Sequence, residues 1–179
     1  ITGARKNYNK GLHIGCFAGG DLPLYETLST NPAVRLCPTS VAVDPGEICK
    51  NDNMVSINTI IEMDITGQVC SESIGPKQFS GTGGAFCFAY GALHSKGGRG
   101  ILAFQAATKK GVSKISSQLK PGAVVSIPRN YVDYVVTEYG IAHLRGRSVK
   151  ERALQLISIA HPDVRDQLRH YAKEQFMIV

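Results

Sequence analysis

The chain has 179 residues, 43% of them hydrophobic and 19% charged, and 20 Lys and Arg against 14 Asp and Glu leave a formal net charge of +6. This composition excludes an intrinsically disordered chain, and the length suits one domain that buries a sizeable core without disulfides or metals. The longest nearly apolar run, Ala85 to Leu93, falls well short of the about 20 residues a membrane-spanning helix needs, and the first residues lack the apolar core of a secretory signal.

In chain order, Leu12 to Ala18 is short, apolar and glycine-bounded, which predicts a buried strand. Asp21 caps a helix running to Ser29, and Asn31-Pro32 stops it before a short strand at Val34 to Leu36. Asp44-Pro45 opens a helix of one or two turns, with proline at its first position. Met54 to Ile65 is rich in β-branched residues and predicts one long strand, turned at Gly67 and returning as a hairpin over Gln68 to Ser73. Ser80-Gly-Thr-Gly-Gly84 is a glycine loop ahead of an apolar, small-residue helix from Ala85 to Ser95, which Gly97-Gly98 ends. Further strands are expected at Gly100 to Gln105, Val124 to Ile127 and Tyr134 to Thr137. Ser148 and Glu151 form a capping box for a helix with an apolar stripe of Ala153, Leu154, Leu156, Ile157 and Ala160, and Pro162 starts a second helix. Strands alternating with helices give an α/β class, a layered mixed sheet with flanking helices, because some strands lie too close in sequence for helical crossovers.

The five cysteines, Cys16, Cys37, Cys49, Cys70 and Cys87, include no C-x-x-C pair, so they read as reduced core thiols of a cytosolic protein rather than as a zinc site or a disulfide framework. From Ser73 to Val132 there is no Asp or Glu, while eight Lys and Arg fall there; that stretch carries +8 and the remainder −2. A local positive field of this kind suits an anionic ligand, either phosphates or nucleic acid, or a solvated basic face.

Three segments could carry chemistry. In the Ser80–Gly84 loop, glycines let successive N–H groups converge, and the following helix start adds partial positive charge. Such a loop can cradle a phosphate or a thioester oxygen becoming an oxyanion, or it is a tight packing turn. It is neither a Rossmann fingerprint nor a P-loop, since Phe86 stands where the former needs glycine and no Gly-Lys-Ser/Thr follows. Glu62 and Asp64 share one face of a strand, either as an acid/base pair or lining a solvent side. Thr137 to Gly146 mixes Glu138, Tyr139, His143 and Arg145, as a ligand-contacting elbow or as a corner in which Glu138 pairs with Arg145 and Gly140 sets the turn. His13, His94, His161 and His170 show no ligand spacing and receive no catalytic role.

Nine motifs occur in order: Asn51-Asp-Asn-Met-Val-Ser-Ile-Asn58, Glu62-Met-Asp-Ile-Thr-Gly-Gln-Val69, Ser71-Glu-Ser-Ile-Gly75, Phe79-Ser-Gly-Thr-Gly-Gly84, Ser95-Lys-Gly-Gly98, Leu119 to Val125, Tyr134-Val-Val-Thr-Glu-Tyr-Gly140, Leu144-Arg-Gly146 and Ile159-Ala-His-Pro162. Over essentially the whole chain this string resembles the C-terminal domain of the acetyl-CoA hydrolase/transferase family, which includes 4-hydroxybutyrate and butyryl-CoA:acetate CoA-transferases.

The resemblance implies a single domain over residues 1–179, of the CoA-transferase type. It implies that the domain works beside a second α/β domain in a cytoplasmic homodimer, with no membrane or nucleic-acid partner. In that family a glutamate attacks an acyl-CoA, and a glutamyl-CoA thioester forms and passes its coenzyme A to a short-chain carboxylate. The resemblance places that glutamate upstream of Ile1-Thr2-Gly3, so none of Glu62, Glu72 and Glu138 fills its place, and the chain alone is expected to be inactive. Coenzyme A is then a substrate and no tightly bound cofactor is expected. Carried over by position, Gly81, Thr82, Gly83 and Gly84 face the thioester and pantetheine end of coenzyme A, and Lys96 contacts it. Ala85-Phe86-Cys87 departs from the Gln, small residue, Asp that often follows the family loop, and Val43 stands where an Asn is frequent. Hydrolysis of the thioester by water is the alternative outcome, and a basic nucleic-acid-binding module a distant one.

Overall fold

A computed structural model describes residues 3–176 of the chain. The predicted element pattern holds in outline. The first unit is β1 (His13–Gly15), α1 (Leu22–Thr30) and β2 (Val34–Leu36), with β1 and β2 paired in parallel. Asp21 caps α1 by accepting from the Leu24 amide, and Pro23 sits in the first turn where no partner for its missing N–H is needed. Two one-turn helices follow, α2 (Thr39–Ala42) and α3 (Pro45–Ile48), the second capped by Asp44 through the Glu47 amide.

The expected long strand from Met54 to Ile65 is two strands in different sheets. β3 (Val55–Asn58) joins a four-stranded sheet, and β4 (Glu62–Asp64) a three-stranded one. A β-branched run states extended backbone but not that the chain bends at Thr59 to Ile61 and changes sheet. The expected return hairpin is present as β5 (Val69–Cys70), antiparallel to β4. A small hairpin of β6 (Ser73–Ile74) and β7 (Lys77–Gln78) then leads into the glycine loop. α4 (Ala85–His94) feeds β8 (Arg99–Ala103), and β9 (Ile115–Ser116) pairs in parallel with β4. Val124 to Ile127 forms no named strand; its contact is a single antiparallel bridge between Ile127 and Val69. β10 (Tyr134–Thr137) and β11 (Gly140–His143) are an antiparallel hairpin whose turn uses Gly140 at φ +142°. α5 (Val149–Ile159) and α6 (Pro162–Phe176) close the fold.

The four-stranded sheet runs β11-β10-β8-β3, with β3, β8 and β10 parallel. The core lies between this sheet, the β4 sheet and the helices: Met63, Ile65, Val69, Ile115, Ile127, Val135, Leu144 and Leu156 are fully buried. The capping box at Ser148 and Glu151 is formed in both directions and starts α5, which packs on β11 and β10. The β1–α1–β2 unit differs from its sequence-based expectation. No residue of α1 is buried, and Phe17 (82% exposed), Leu22 (74%) and Leu36 (56%) present apolar side chains to solvent.

Candidate functional site

The parallel strands and α4 set the geometry. α4 enters β8 through the turn Ser95–Gly98 and packs along β8 and β3, so it runs antiparallel to them. The turn is pinned at the amino end of β3, where the Met54 amide donates to Ser95 Oγ (3.1 Å) and the Asn53 amide to the Lys96 carbonyl (2.7 Å). The start of α4, and with it the Ser80–Gly84 loop, therefore lies beside the carboxyl ends of β3, β8 and β10, the usual ligand side of an open parallel sheet.

Gly84 is the N-cap of α4 and offers no capping side chain, and Gly83 takes a left-handed φ of +64°. Gly81, Thr82 and Gly83 are exposed. A Cβ built on Gly81 or Gly83 meets nothing within 4 Å, whereas one on Gly84 comes within 3.1 Å of Val43 Cγ1. The loop is thus packed at its last residue, against the side chains of Val43 and Phe88, and open at Gly81 and Gly83. The first hydrogen bond closing α4 runs from the Phe88 amide to the Gly84 carbonyl. Among the described residues no acceptor meets the amides of Gly81, Thr82, Gly83, Gly84, Ala85, Phe86 and Cys87. Unpaired donors on a glycine-rich turn at a helix start can bind an anion where they converge.

Lys96 is exposed at the far end of α4. Ten helical residues hold the loop and Lys96 about 15 Å apart. A groove of about 340 Å³ lies nearby, lined by neighbours of both places though by neither the loop glycines nor Lys96. Val41, Ala42 and Phe88, the side chain that touches Gly84, line one end, and Asn51, Asp52 and Asn53, the last bonded to Lys96, line the other. Ile14, Ile48, Met54 and Val55 give it an apolar floor, with Lys6 and Glu47 at its rim. There Lys50 and Tyr8 hydrogen-bond the Glu47 carboxylate and hold its pKa below the ordinary range, the lysine contributing more.

The other sequence candidates resolve structurally. Glu62 and Asp64 are both buried, so neither lines a solvent side. Asp64 accepts from the amides of Thr66 (2.8 Å) and Gln68 (3.1 Å), from Thr66 Oγ1 (2.7 Å) and from Gln68 Nε2 (3.1 Å), which makes it the organiser of the β4–β5 turn. Glu62 accepts from the Lys120 amide at 3.2 Å. Glu138 and Arg145 do not pair: Glu138 accepts from the Ala106 amide (2.8 Å), and Arg145 donates to the Leu93 carbonyl (3.4 Å). His143 stacks on Tyr134 and lies 3.2 Å from the buried Asp133 carboxylate, a pairing that the sequence pattern did not signal. Of the cysteines only Cys70 is buried; the other four are half-buried. Phe86, one of the departures after the glycine loop, is packed edge-on to Tyr131 (5.3 Å between ring centres) and beside Tyr90, so it belongs to the core side of α4.

Comparison with known proteins places the chain in a family. Residues 20–172 match the family model described as acetyl-CoA hydrolase/transferase C-terminal domain. The chain belongs to that family. It is 48% identical to 4-hydroxybutyrate coenzyme A transferase of Clostridium kluyveri over 177 residues, covering 98% of this chain and 41% of that protein. Among solved structures it is similar to RipA from Yersinia pestis, with a TM-score of 0.91 at 41% identity, covering 99% of this chain and 40% of the other. It is also similar to 4-hydroxybutyrate CoA-transferase from Porphyromonas gingivalis, with a TM-score of 0.82 at 37% identity, covering 98% of this chain and 41% of the other. The acetyl-CoA hydrolase/transferase chain described here therefore spans about two fifths of the length of these relatives.

Proposed function

We propose that this chain is the coenzyme A-binding part of an acyl-CoA:carboxylate CoA-transferase. The observation that carries the reading is the set of unpaired amides from Gly81 to Cys87 at the carboxyl ends of the parallel strands. In this reading Gly81, Thr82, Gly83 and Gly84 hold the thioester oxygen as it becomes an oxyanion. The pantetheine arm follows the apolar groove past Phe88 and Met54, and Lys96 meets the anionic nucleotide end. Acyl-CoA is the donor, a short-chain carboxylate the acceptor, and coenzyme A a substrate.

The nucleophile comes from a part of the protein outside this sequence. A glutamate carboxylate there attacks the acyl carbon and expels coenzyme A thiolate, forming a mixed anhydride. The thiolate then attacks the glutamyl carbonyl and releases the first acid, leaving a glutamyl-CoA thioester. A second carboxylate reverses these steps and leaves as the new acyl-CoA. The three glutamates offered by this chain at the motifs do not suit the role: Glu62 and Glu138 are held by backbone amides, and Glu72 is buried. The exposed apolar side chains of β1–α1–β2 suit the same picture, as the surface on which that other part packs.

Borohydride reduction of the longer protein incubated with acetyl-CoA tests the assignment. The expected product is one glutamate converted to its alcohol, in a peptide outside residues 1–179, with no reduction when this chain is treated alone. Reduction of Glu62, Glu72 or Glu138 would place the nucleophile here and overturn it. Adding acetate separates transfer from the family's hydrolytic alternative: transfer regenerates an acyl-CoA, while hydrolysis releases free thiol.

A further inference from the structure

We infer that Cys16 and Cys37 are a dithiol pair that closes reversibly to a disulfide, oxidised by a small-molecule disulfide such as oxidised glutathione. The inference rests on strand register and does not depend on the transferase reading. β1 and β2 pair in parallel as His13↔Val34, Ile14↔Arg35 and Gly15↔Leu36. The last bond of this ladder, from the Cys37 amide to the Gly15 carbonyl at 2.8 Å, holds the Gly15–Cys16 peptide against the Leu36–Cys37 peptide. Cys16, where the chain bends, and Cys37 are therefore the first residues beyond the last paired ones.

Adjacent strands lie about 4.8 Å apart, and the two cysteines leave the ladder from peptides hydrogen-bonded to each other. That spacing falls inside the roughly 4.4–6.8 Å between Cα atoms that a disulfide spans. The Cβ atoms need to approach by about 0.5–1 Å to reach disulfide separation. Both cysteines sit at the point where the ladder ends, ahead of Phe17 and Pro38, so the backbone is not held by further strand pairing. Both are half-buried in this chain taken alone, and neither thiol has a hydrogen-bond partner among the described residues. By contrast, Cys49 and Cys70 each donate to a carbonyl, of Gly46 and Ser73, at 3.2 Å. Cys87 is on the first turn of α4, in a different part of the chain.

The chemistry balances with one equivalent of oxidant. One protein thiolate attacks oxidised glutathione, forming a mixed disulfide and releasing one glutathione thiolate. The second protein thiolate attacks the protein sulfur of that mixed disulfide and releases the second glutathione. Two protein thiols lose two electrons and two protons, and one glutathione disulfide becomes two glutathiones. The bond ties the loop after β1 to the loop after β2, which runs through α2 to Val43, the side chain packed on Gly84.

The test is to treat the folded 179-residue chain with oxidised glutathione and count thiols, then map peptides without reduction. The expected result is a fall from five free thiols to three, with Cys16 joined to Cys37 and full recovery on adding a dithiol. Because tryptic cleavage leaves Cys37 and Cys49 on one peptide, Cys49→Ser is included and is expected to keep both the linkage and the two-thiol loss. Cys16→Ser and Cys37→Ser are each expected to abolish the linkage and leave one glutathione adduct on the remaining partner, with far-ultraviolet spectra that show both variants folded. Loss of no thiol, stable glutathione adducts on both residues of the parent chain, or a linkage to Cys49, Cys70 or Cys87 would overturn the inference.

Discussion

Alanine at Gly83 separates a ligand cradle from a packing turn. Gly83 sits at φ +64°, and a Cβ there meets nothing within 4 Å, so the substitution introduces backbone strain and no clash. A non-glycine residue in the left-handed region costs about 1–2 kcal/mol. The loop is exposed and free to relax, and relaxation turns the Gly83 and Gly84 amides away from a common focus. If coenzyme A needs those amides converged, the strain must be restored on binding, and affinity falls by about 5–30-fold. Strain retained in the free protein instead lowers the melting temperature by about 2–4 °C per kcal/mol for a chain of this size. Gly81→Ala is the matched control, because Gly81 also has open space but no left-handed backbone. It should melt like the parent, and any affinity loss there reports the ligand's own approach to residue 81. The assay is calorimetric titration with coenzyme A beside thermal unfolding of the parent and both variants. A parent chain that binds no coenzyme A, or a Gly83→Ala chain that melts lower yet binds as tightly as the parent, refutes the reasoning.

Two other outcomes follow from side chains already placed. Asp64→Ala leaves the Thr66 and Gln68 amides and the Thr66 hydroxyl without their acceptor, at a cost of about 3 kcal/mol. Thermal unfolding should show a drop of about 6–12 °C, and a variant melting within about 2 °C of the parent would remove Asp64 from its turn-organising role. At the start of α5, the Ser148 amide, then its hydroxyl, then Arg147 hold the Glu151 pKa below the ordinary carboxylate value of 4.5. A depressed folded-state pKa means the contribution is complete above the unfolded value near 4.5 and is lost as pH falls through the lower folded value. Melting scans between pH 3 and 7 should therefore show an acid-side loss that Glu151→Gln reduces, and equal slopes for the two chains would refute it.

The sequence exposes those parts of the fold whose causes are local. Asp21, Asp44 and Ser148 cap the helices where their spacing places them, because a cap needs only residues a few positions away. The split of Met54–Ile65 was hidden because both pieces are extended, and only their partners differ: β8 for one and β5 with β9 for the other. Val124–Ile127 was apolar enough for a strand but finds a single bridge to Val69. Burial of Glu62 and Asp64 was equally invisible, since their partners Lys120 and the Thr66–Gln68 turn are fixed by tertiary packing and by a loop conformation. The acid-free stretch gave the charge of the region but not its distribution. Lys96 lies at the amino end of β3, while Lys120 and Arg129 line a different groove beside Asp64.

The candidate site carries a lesson of a different kind. Its glycine spacing was legible, yet spacing alone left a ligand loop and a packing turn as alternatives. What distinguishes them is where the packing stops. Gly84 is the only loop glycine that is crowded, by Val43 and Phe88, and Gly81 and Gly83 face open space. A turn that served packing alone would bury its glycines and pair the amides ahead of the helix, since buried unpaired amides are costly and only the first helical amides are orphaned in every helix. Here the amides of the exposed residues Gly81, Thr82 and Gly83 stay unpaired just ahead of a helix start, and Phe88, one turn on, lines a partly apolar groove. The apolar side chains of Phe17, Leu22 and Leu36 lie exposed on the β1–α1–β2 unit, and β3 is an open edge with Ile57 69% exposed. Open amides and uncovered apolar surface in one chain, two fifths the length of its relatives, agree with the proposal that the nucleophile comes from the rest of the protein. This predicts that Phe17→Ser and Leu22→Ser weaken association with that remaining part while leaving the melting temperature of this chain within about 2 °C of the parent, because exposed substitutions stay within about 0.5 kcal/mol. A sedimentation assay of the two parts mixed in solution reads the association, and undiminished association of the double variant would show that this face is not where they meet.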